Sequence, residues 1–400
     1  MNQNMLHTPE GVRDIYGEEY ARKLRVEELI HEKIRSFGYK DIQTPSFEFF
    51  DVFSKEVGTT PSRELYKFFD KEGNTLVLRP DFTPSMARCA AKYFMEEDIP
   101  IRFSYSGNTF TNLSSLQGKL NEVTQMGAEL IGDRSVEADA EMIAMLIQCL
   151  KNTGLEKFQV SIGQVDYFRG ICMDAGLEQE TEMALRENIS GKNIFGVEDL
   201  LKECNISDEH YLALLKLPEL FGTEEILDKA AELVSNERSL GAVERLKQLH
   251  RLLKTYQVED YISFDFGMLS KYNYYTGVIF RAYTYGVGEA IVKGGRYDNL
   301  LKKFGKDAPA IGFVVVIDDL LTALASQHIA LQTGENNILI IYEKNSFDKA
   351  LKKAISLREE GKFVELIPHN NIPNEKYLSF ARQNRYSGVF FEYDKEDAKA

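Results

Sequence analysis

Residues Met268–Asp319 read MLSKYNYYTGVIFRAYTYGVGEAIVKGGRYDNLLKKFGKDAPAIGFVVVIDD. The fold turns on this stretch. Alternating apolar residues at Val278, Phe280 and Ala282 predict a half-buried strand. Gly286 and Gly288 supply turn chemistry before Ala290–Val292, which is a hairpin signal. A second glycine pair, Gly294–Gly295, precedes Arg296; between a phosphate-cradling loop and a structural turn, the turn is favoured. A third strand closes the stretch. With the tyrosine pair Tyr274–Tyr275 at its head, it reads as the floor and rim of a small-molecule pocket.

On the amino-terminal side, Val26, Ile30, Ile34 and Phe37 recur at helical spacing, so a helix runs from about Glu18 to Phe37 and stops at Gly38. Ile42–Phe53 (IQTPSFEFFDVF) reads as a strand entering a helix, with Pro45 confining it to an edge or interface. Leu65–Asp70 and Leu76–Arg79 form a predicted hairpin, and Asp81–Tyr93 a helix with Pro84 in its first turn. Ile101–Phe110 and Asn121–Gly132 are two long strands; Glu137–Asn152 is an apolar helix and Phe158–Ile162 a further strand. Together these predict an α+β fold, an antiparallel sheet backed by helices.

Residues 166–257 alternate almost nowhere and carry helix formers in blocks broken at Gly176, Gly191 and Gly196, which predicts an all-helical insertion. Tyr261–Phe266 returns to the sheet, and Asp318–Ala325 begins the helix closing a first domain over 1–330. Beyond the polar segment Gln332–Asn337, strand and helix alternate through 391, predicting a small α/β domain over 331–400 with a parallel sheet. Its formal charge is zero, eleven basic against eleven acidic residues.

The whole chain carries −14, which argues against a nucleic-acid binder, because gripping phosphates needs cations. Cys89, Cys149, Cys172 and Cys204 are scattered without a CxxC pair, so neither a zinc site nor a disulfide framework is expected. No run approaches the roughly 18 apolar residues of a membrane span and no apolar leader opens the chain, so a cytoplasmic location is expected. No cofactor or metal is implied, and His7, His31, His210, His250, His328 and His369 read as surface or satisfied core residues.

Four stretches carry a resemblance: LRPDFTPSMAR (Leu78–Arg88), YSGNTF with GKLNEVTQMGAELIG (Tyr105–Gly132), NYYTGVIF (Asn273–Phe280), and KGGRYDNL with APAIGF (Lys293–Phe313). In this order they resemble the core of a histidyl-tRNA synthetase, a class II enzyme whose pocket lies on an antiparallel sheet. IQTPSFEFFDVF resembles the first class II motif, which forms the dimer interface. The resemblance spans Leu6 to Ala325, with the insertion in the place expected and the carboxy-terminal domain resembling a shortened anticodon-binding domain.

Matched to those motifs, the residues that hold histidine are present: Asp81 and Thr83, Gln125 and Glu129, Tyr274 and Tyr275. Carboxylates and hydroxyls accept from an ammonium, while a tyrosine or glutamate fixes an imidazole nitrogen. The cations that clamp the ATP α-phosphate are not. Where the family carries arginine, this chain has Thr111, Ser270 and Asp319; Leu113 and Val316 replace a glutamate and a small glycine. Each lost clamp costs about 3–4 kcal/mol of transition-state stabilisation, not simply additive, and Asp319 would repel the phosphates. Aminoacylation is therefore expected to be lost.

A synthetase-like body that keeps the histidine pocket and loses the ATP clamp resembles the regulatory subunits of ATP phosphoribosyltransferase, as does the amino-terminal TPEGVRD, although Thr111 and Lys119 depart from arginines such subunits keep. That resemblance implies a non-catalytic partner of the short catalytic subunit in the first step of histidine biosynthesis, dimeric through residues 42–53, with histidine as feedback effector. The alternatives are an active or degenerate histidyl-tRNA synthetase and a stand-alone RNA-binding or sensor protein. Three structural alternatives also stand at this point: Asp81 as a helix cap, Glu129 in an ion pair with Arg79 or Arg88, and one of Tyr274 and Tyr275 facing away from the pocket.

Overall fold

The computed structural model describes residues 6–54, 60–113, 119–270, 275–332 and 337–393. The chain divides into two compact units, Met1–Asp14 with Val26–Ala330, and Ile15–Arg25 with Leu331–Ala400. In order, the elements of the amino-terminal part are α1 (Gly17–Ser36), β1 (Lys40–Asp41), β2 (Phe47–Phe49), β3 (Lys67–Phe69), β4 (Thr75–Leu78), α2 (Thr83–Tyr93), β5 (Ile101–Phe110), β6 (Glu122–Ile131), α3 (Val136–Asn152) and β7 (Phe158–Gln164). The insertion holds α4 (Val165–Asp174), α5 (Gln179–Ser190), α6 (Ile194–Lys202), α7 (Asp208–Lys216), β8 (Phe221–Gly222), α8 (Glu225–Glu232) and α9 (Glu237–Thr255). There follow β9 (Ile262–Asp265), β10 (Val278–Thr284), β11 (Val292–Arg296), β12 (Ala310–Val316) and α10 (Ile317–Ser326).

Nine strands make one sheet in the order β1-β5-β6-β12-β11-β10-β7-β9-β8. From β5 to β7 every neighbour is antiparallel, as the alternation predicted. The outer pairs β1–β5 and β7–β9 are parallel, so the whole sheet is mixed. Each of these outer strands returns to the sheet after a long excursion rather than a tight turn, which is how parallel neighbours arise.

Three expectations change. Gly294 and Gly295 lie within β11, neither turn nor loop. Their lack of side chains serves close approach: a Cβ on Gly294 would stand 2.3 Å from the Phe280 ring and 2.6 Å from the Gly312 carbonyl oxygen. The insertion is not wholly helical, since β8 pairs with β9, and Gly196 does not break a helix but sits in the first turn of α6, where its N–H donates to the capping Asn193 side chain. The predicted Ile42–Phe53 strand resumes only beyond Pro45, as β2, and then enters a 3-10 turn over Phe50–Phe53; β2, β4 and β3 form a separate three-stranded sheet.

Behind the large sheet, α3 packs against β6, β12 and α9. Its start is fixed by Ser135, whose Oγ accepts from the Ala138 N–H at 3.2 Å. Met142, Ile143, Leu146, Ile147 and Leu150 are fully buried. Among them lies Asp139, also fully buried, accepting from Arg296 Nη2 at 2.6 Å and Arg245 Nε at 2.8 Å. Arg296 further donates to the Asp133 carbonyl at 2.8 Å. This network ties the end of β11 to α3 and α9.

The second unit contains β13 (Asn337–Tyr342), α11 (Phe347–Glu359), β14 (Phe363–Pro368), α12 (Asn374–Gln383) and β15 (Gly388–Glu392), a parallel sheet in the order β14-β13-β15. The run Ile338–Ile341 is apolar throughout because both faces are covered: Ile338 and Ile340 meet Ala350 and Ala354 of α11, while Leu339 and Ile341 meet Tyr377 and Ala381 of α12.

Breaking a buried ion cluster leaves an uncompensated charge. Asp139→Ala removes the carboxylate shared by Arg245 and the 3%-exposed Arg296 and leaves Arg296, among the described residues, only the longer 3.3 Å ion pair with Asp298. It is therefore expected to lower the unfolding free energy by about 3 kcal/mol. Lys247→Ala, which breaks the exposed pair with Asp228, should cost less than about 1 kcal/mol. Urea unfolding of both variants checks the contrast.

Candidate functional site

The antiparallel core of the sheet floors a cleft of about 840 Å³. Its lining includes Asp81, Thr83, Gln125, Glu129, Tyr275 and Ser270 from the residues singled out in the sequence. Tyr274 lies outside the described residues. Thr111 and Asp319 are not among the described lining residues.

Gln125 and Glu129 share the cleft face of β6, paired with Val316 and Gly312 of β12. Gly312 is what lets a glutamate sit there, since a Cβ at that position would be 1.6 Å from Glu129 Oε2. Glu129 is 1% exposed. Its Oε1 accepts from Thr83 Oγ1 at 3.1 Å, and its Oε2 accepts from the buried Tyr297 hydroxyl. Burial pushes the Glu129 carboxyl up to about 8; the hydroxyls of Tyr297 and Thr83 pull it back, and the Asp81 charge adds to the rise. The Tyr297 and Tyr105 phenols are raised well above their ordinary value, first by burial and then by the Glu129 charge.

Neither proposed arginine partner of Glu129 is used that way. Arg79 donates to the carbonyls of Thr44 (2.9 Å) and Asn108 (2.8 Å), and Arg88 pairs with Glu48 at 2.7 Å. Arg79 also lies 4.1 Å from the centre of the Phe82 ring, which stacks on Tyr105 at 4.4 Å and so stiffens the wall beside Asp81. Asp81 is not the cap of α2, whose N-cap position is Phe82 with no side-chain cap; Asp81 Oδ1 accepts from the Thr83 N–H at 2.7 Å in a local turn while the residue lines the cleft.

Glu187, Ser190 and Gly191, at the end of α5, contribute to the other side of the cleft with Leu269 and Ser270. Ser190 Oγ donates to the Leu269 carbonyl at 3.1 Å, and Arg186 Nη1 to the Ser270 carbonyl at 3.4 Å. The insertion thus completes the cleft. Burial raises the Asp319 carboxyl, opposed by Lys293. Asp318 beside it accepts from the Thr124 N–H at 2.7 Å, fastening α10 to β6. Among the described residues no group of His, Cys, Asp and Glu is arranged to hold a metal ion, and no helix is long and apolar enough to cross a membrane.

A family model described as histidyl-tRNA synthetase matches residues 11–320. An ATP phosphoribosyltransferase regulatory subunit from Acetivibrio thermocellus is 41% identical over 392 residues, covering 98% of this chain and 94% of that protein. The chain belongs to the ATP phosphoribosyltransferase regulatory subunit family. A solved structure titled as an ATP phosphoribosyltransferase regulatory subunit/histidyl-tRNA synthetase from Bacillus halodurans matches with a TM-score of 0.88 at 32% identity, covering 98% of this chain and 99% of that one. Histidyl-tRNA synthetase from Nostoc shares the fold, with a TM-score of 0.80 at 19% identity over 95% of this chain and 90% of that one. The class II synthetase-like fold of this regulatory-subunit family member is thereby established.

Tyr297, Tyr105, Arg281 and Lys293 also line the cleft and were not singled out from the sequence. For Tyr297 a signal existed: it stands two residues beyond Gly295, hence on the same face of the strand. The other three are ordinary strand residues whose orientation only the pairing reveals.

In the unfolded chain Glu129 ionises near 4.5, against about 8 when folded. Between those values the folded state binds more protons, so this group lowers stability as pH rises. Glu129→Gln should remove that slope, at most about 1.4 kcal/mol per pH unit. Denaturant unfolding across the window checks it, and parallel curves for variant and wild type would contradict a buried neutral acid.

Proposed function

We propose that this chain is a non-catalytic regulatory and activating subunit of short-form ATP phosphoribosyltransferase, and that histidine bound in the cleft carries feedback to the catalytic subunit. One observation carries the reading. The cleft keeps a buried acid–phenol pair, Glu129 with Tyr297, beside Asp81, Thr83, Gln125 and Tyr275, while Thr111, Ser270 and Asp319 stand where a synthetase needs arginine. An imidazole presents one nitrogen to Glu129 and Tyr297, and the ammonium finds acceptors in Asp81, Thr83 and Gln125. Analogues that leave such buried groups unpaired are rejected strongly.

In this reading residues 1–330 form the synthetase-like domain with 166–257 inserted, 331–400 is the shortened anticodon-binding-like domain, and the protein works in the cytoplasm. Self-association uses the 42–53 region, where Phe47 and Phe49 are 51% and 55% exposed. Feedback requires that histidine bind the inhibited and active assemblies with different affinity.

Reconstitution with the short catalytic subunit tests the main claim: the chain should raise its turnover and confer sensitivity to histidine. No change in either rejects it. Asp81→Ala and Glu129→Gln should each weaken histidine binding roughly 10- to 100-fold by calorimetry; full retention by both variants moves the effector site elsewhere. The alternative, an active or degenerate histidyl-tRNA synthetase, requires histidine-dependent ATP–pyrophosphate exchange by the purified chain, and none is expected.

A further inference from the structure

We infer that Arg281, assisted by Lys293, is the carboxylate-binding group of the cleft, so that the site selects a free amino acid over one whose carboxylate is blocked or absent. The inference rests on the histidine reading above and deepens it. An amino acid held by its ammonium and its imidazole still brings a full negative charge into the same cleft. A carboxylate out of bulk water requires charged donors. Thr111, Ser270 and Asp319 supply none.

Arg281 and Lys293 are the two arginine or lysine residues among the described lining residues. Sheet register fixes where they stand. Glu129, Gly312, Gly295 and Ile279 form one row across β6, β12, β11 and β10; Gly127, Val314, Lys293 and Arg281 form the row that is two residues along each strand. Rows two residues apart share a face and lie roughly 7 Å from each other. That is the separation of one amino acid's side-chain and main-chain ends. Glu129 starts three strands from Arg281, but its carboxyl leans over Gly312 of β12. From there β11 is one strand spacing of about 4.8 Å away and β10 two, a gap that the long Lys293 and Arg281 side chains span toward a carboxylate on row two.

Electrostatics favours the same conclusion. Arg281 and Lys293 are directly opposite on neighbouring antiparallel strands, and like charges so placed are destabilising. Lys293 is partly compensated by Glu289 at 3.9 Å, a carboxylate that also pairs with Lys119. Among the described residues no hydrogen bond or ion pair engages Arg281. An anion between them relieves the repulsion, and the planar guanidinium fork matches a carboxylate in bidentate fashion.

Calorimetry on the full chain with histidine and with histidinol, which keeps ammonium and imidazole but lacks the carboxylate, tests the assignment. Wild type should prefer histidine by roughly 10- to 100-fold. Arg281→Gln should lower histidine affinity to the histidinol level and leave histidinol binding unchanged, Arg281→Lys should restore part of the preference, and Lys293→Gln should lose less. Melting temperature should not fall in Arg281→Gln, since a repulsion is removed. An unchanged histidine-to-histidinol ratio in Arg281→Gln overturns the proposal. So does Arg281-dependent binding of AMP or inorganic phosphate without any change in that ratio, which would make this a phosphate site. If wild type binds histidinol as tightly as histidine, the carboxylate site is wrong while the pocket reading survives. If it binds neither, the pocket reading itself fails.

Discussion

One carboxyl group with no access to water, that of Glu129, sets the terms for the whole cleft. Its strand neighbour must be Gly312, because any side chain there would occupy the carboxylate's place. Its oxygens must be met by hydroxyls, and Thr83 and Tyr297 meet them. Those two donors come from different elements, the first turn of α2 and the chain just beyond β11, so satisfying Glu129 also fastens helix to sheet. Leaving such a group without partners would cost about 1–3 kcal/mol or more. The neutral state favoured by burial makes it an acid able to donate to an unprotonated imidazole nitrogen, and ionisation makes it an acceptor for a protonated one.

Much of this was legible in the sequence because the informative elements are long and regular. β5, β6, α3 and the strand–helix alternation of the second unit appear where periodicity placed them. Gln125 and Glu129 were correctly put on one face, since a spacing of four residues on a strand allows nothing else. What failed did so for physical reasons. Gly294 and Gly295 carry the composition of a turn, but they are glycine because the Phe280 and Tyr275 rings and the neighbouring backbone fill the space above them. Local sequence cannot distinguish a glycine needed for its dihedral freedom from one needed for its missing Cβ.

Likewise, nothing local marks Arg281. It stands in an alternating strand as an ordinary exposed-face residue, and only the pairing with Lys293 and the closure of the cleft by α5 give its position meaning. The parallel outer pairs of the sheet were hidden for a related reason. Partners brought together by long excursions leave no turn signal between them.

The acidic head of α10 has its own physical logic. A helix amino-terminus carries partial positive charge, so a cation there is held against the local field and an acid is worth about 0.3–1 kcal/mol. A phosphate clamp at that position is a functional demand opposed by stability. Asp318 and Asp319 now occupy the first turn of α10, and Asp318 secures the helix to β6 through the Thr124 N–H. The Ser270 backbone carbonyl accepts from Arg186 of α5, so this segment is built into the side of the cleft. Hydrogen bonds hold the head of α10 and the Ser270 segment in place, whereas Glu129, Tyr297 and Thr83 form a polar arrangement that an apolar core would not require. Costly buried polar groups that line a cleft mark it as a candidate recognition site.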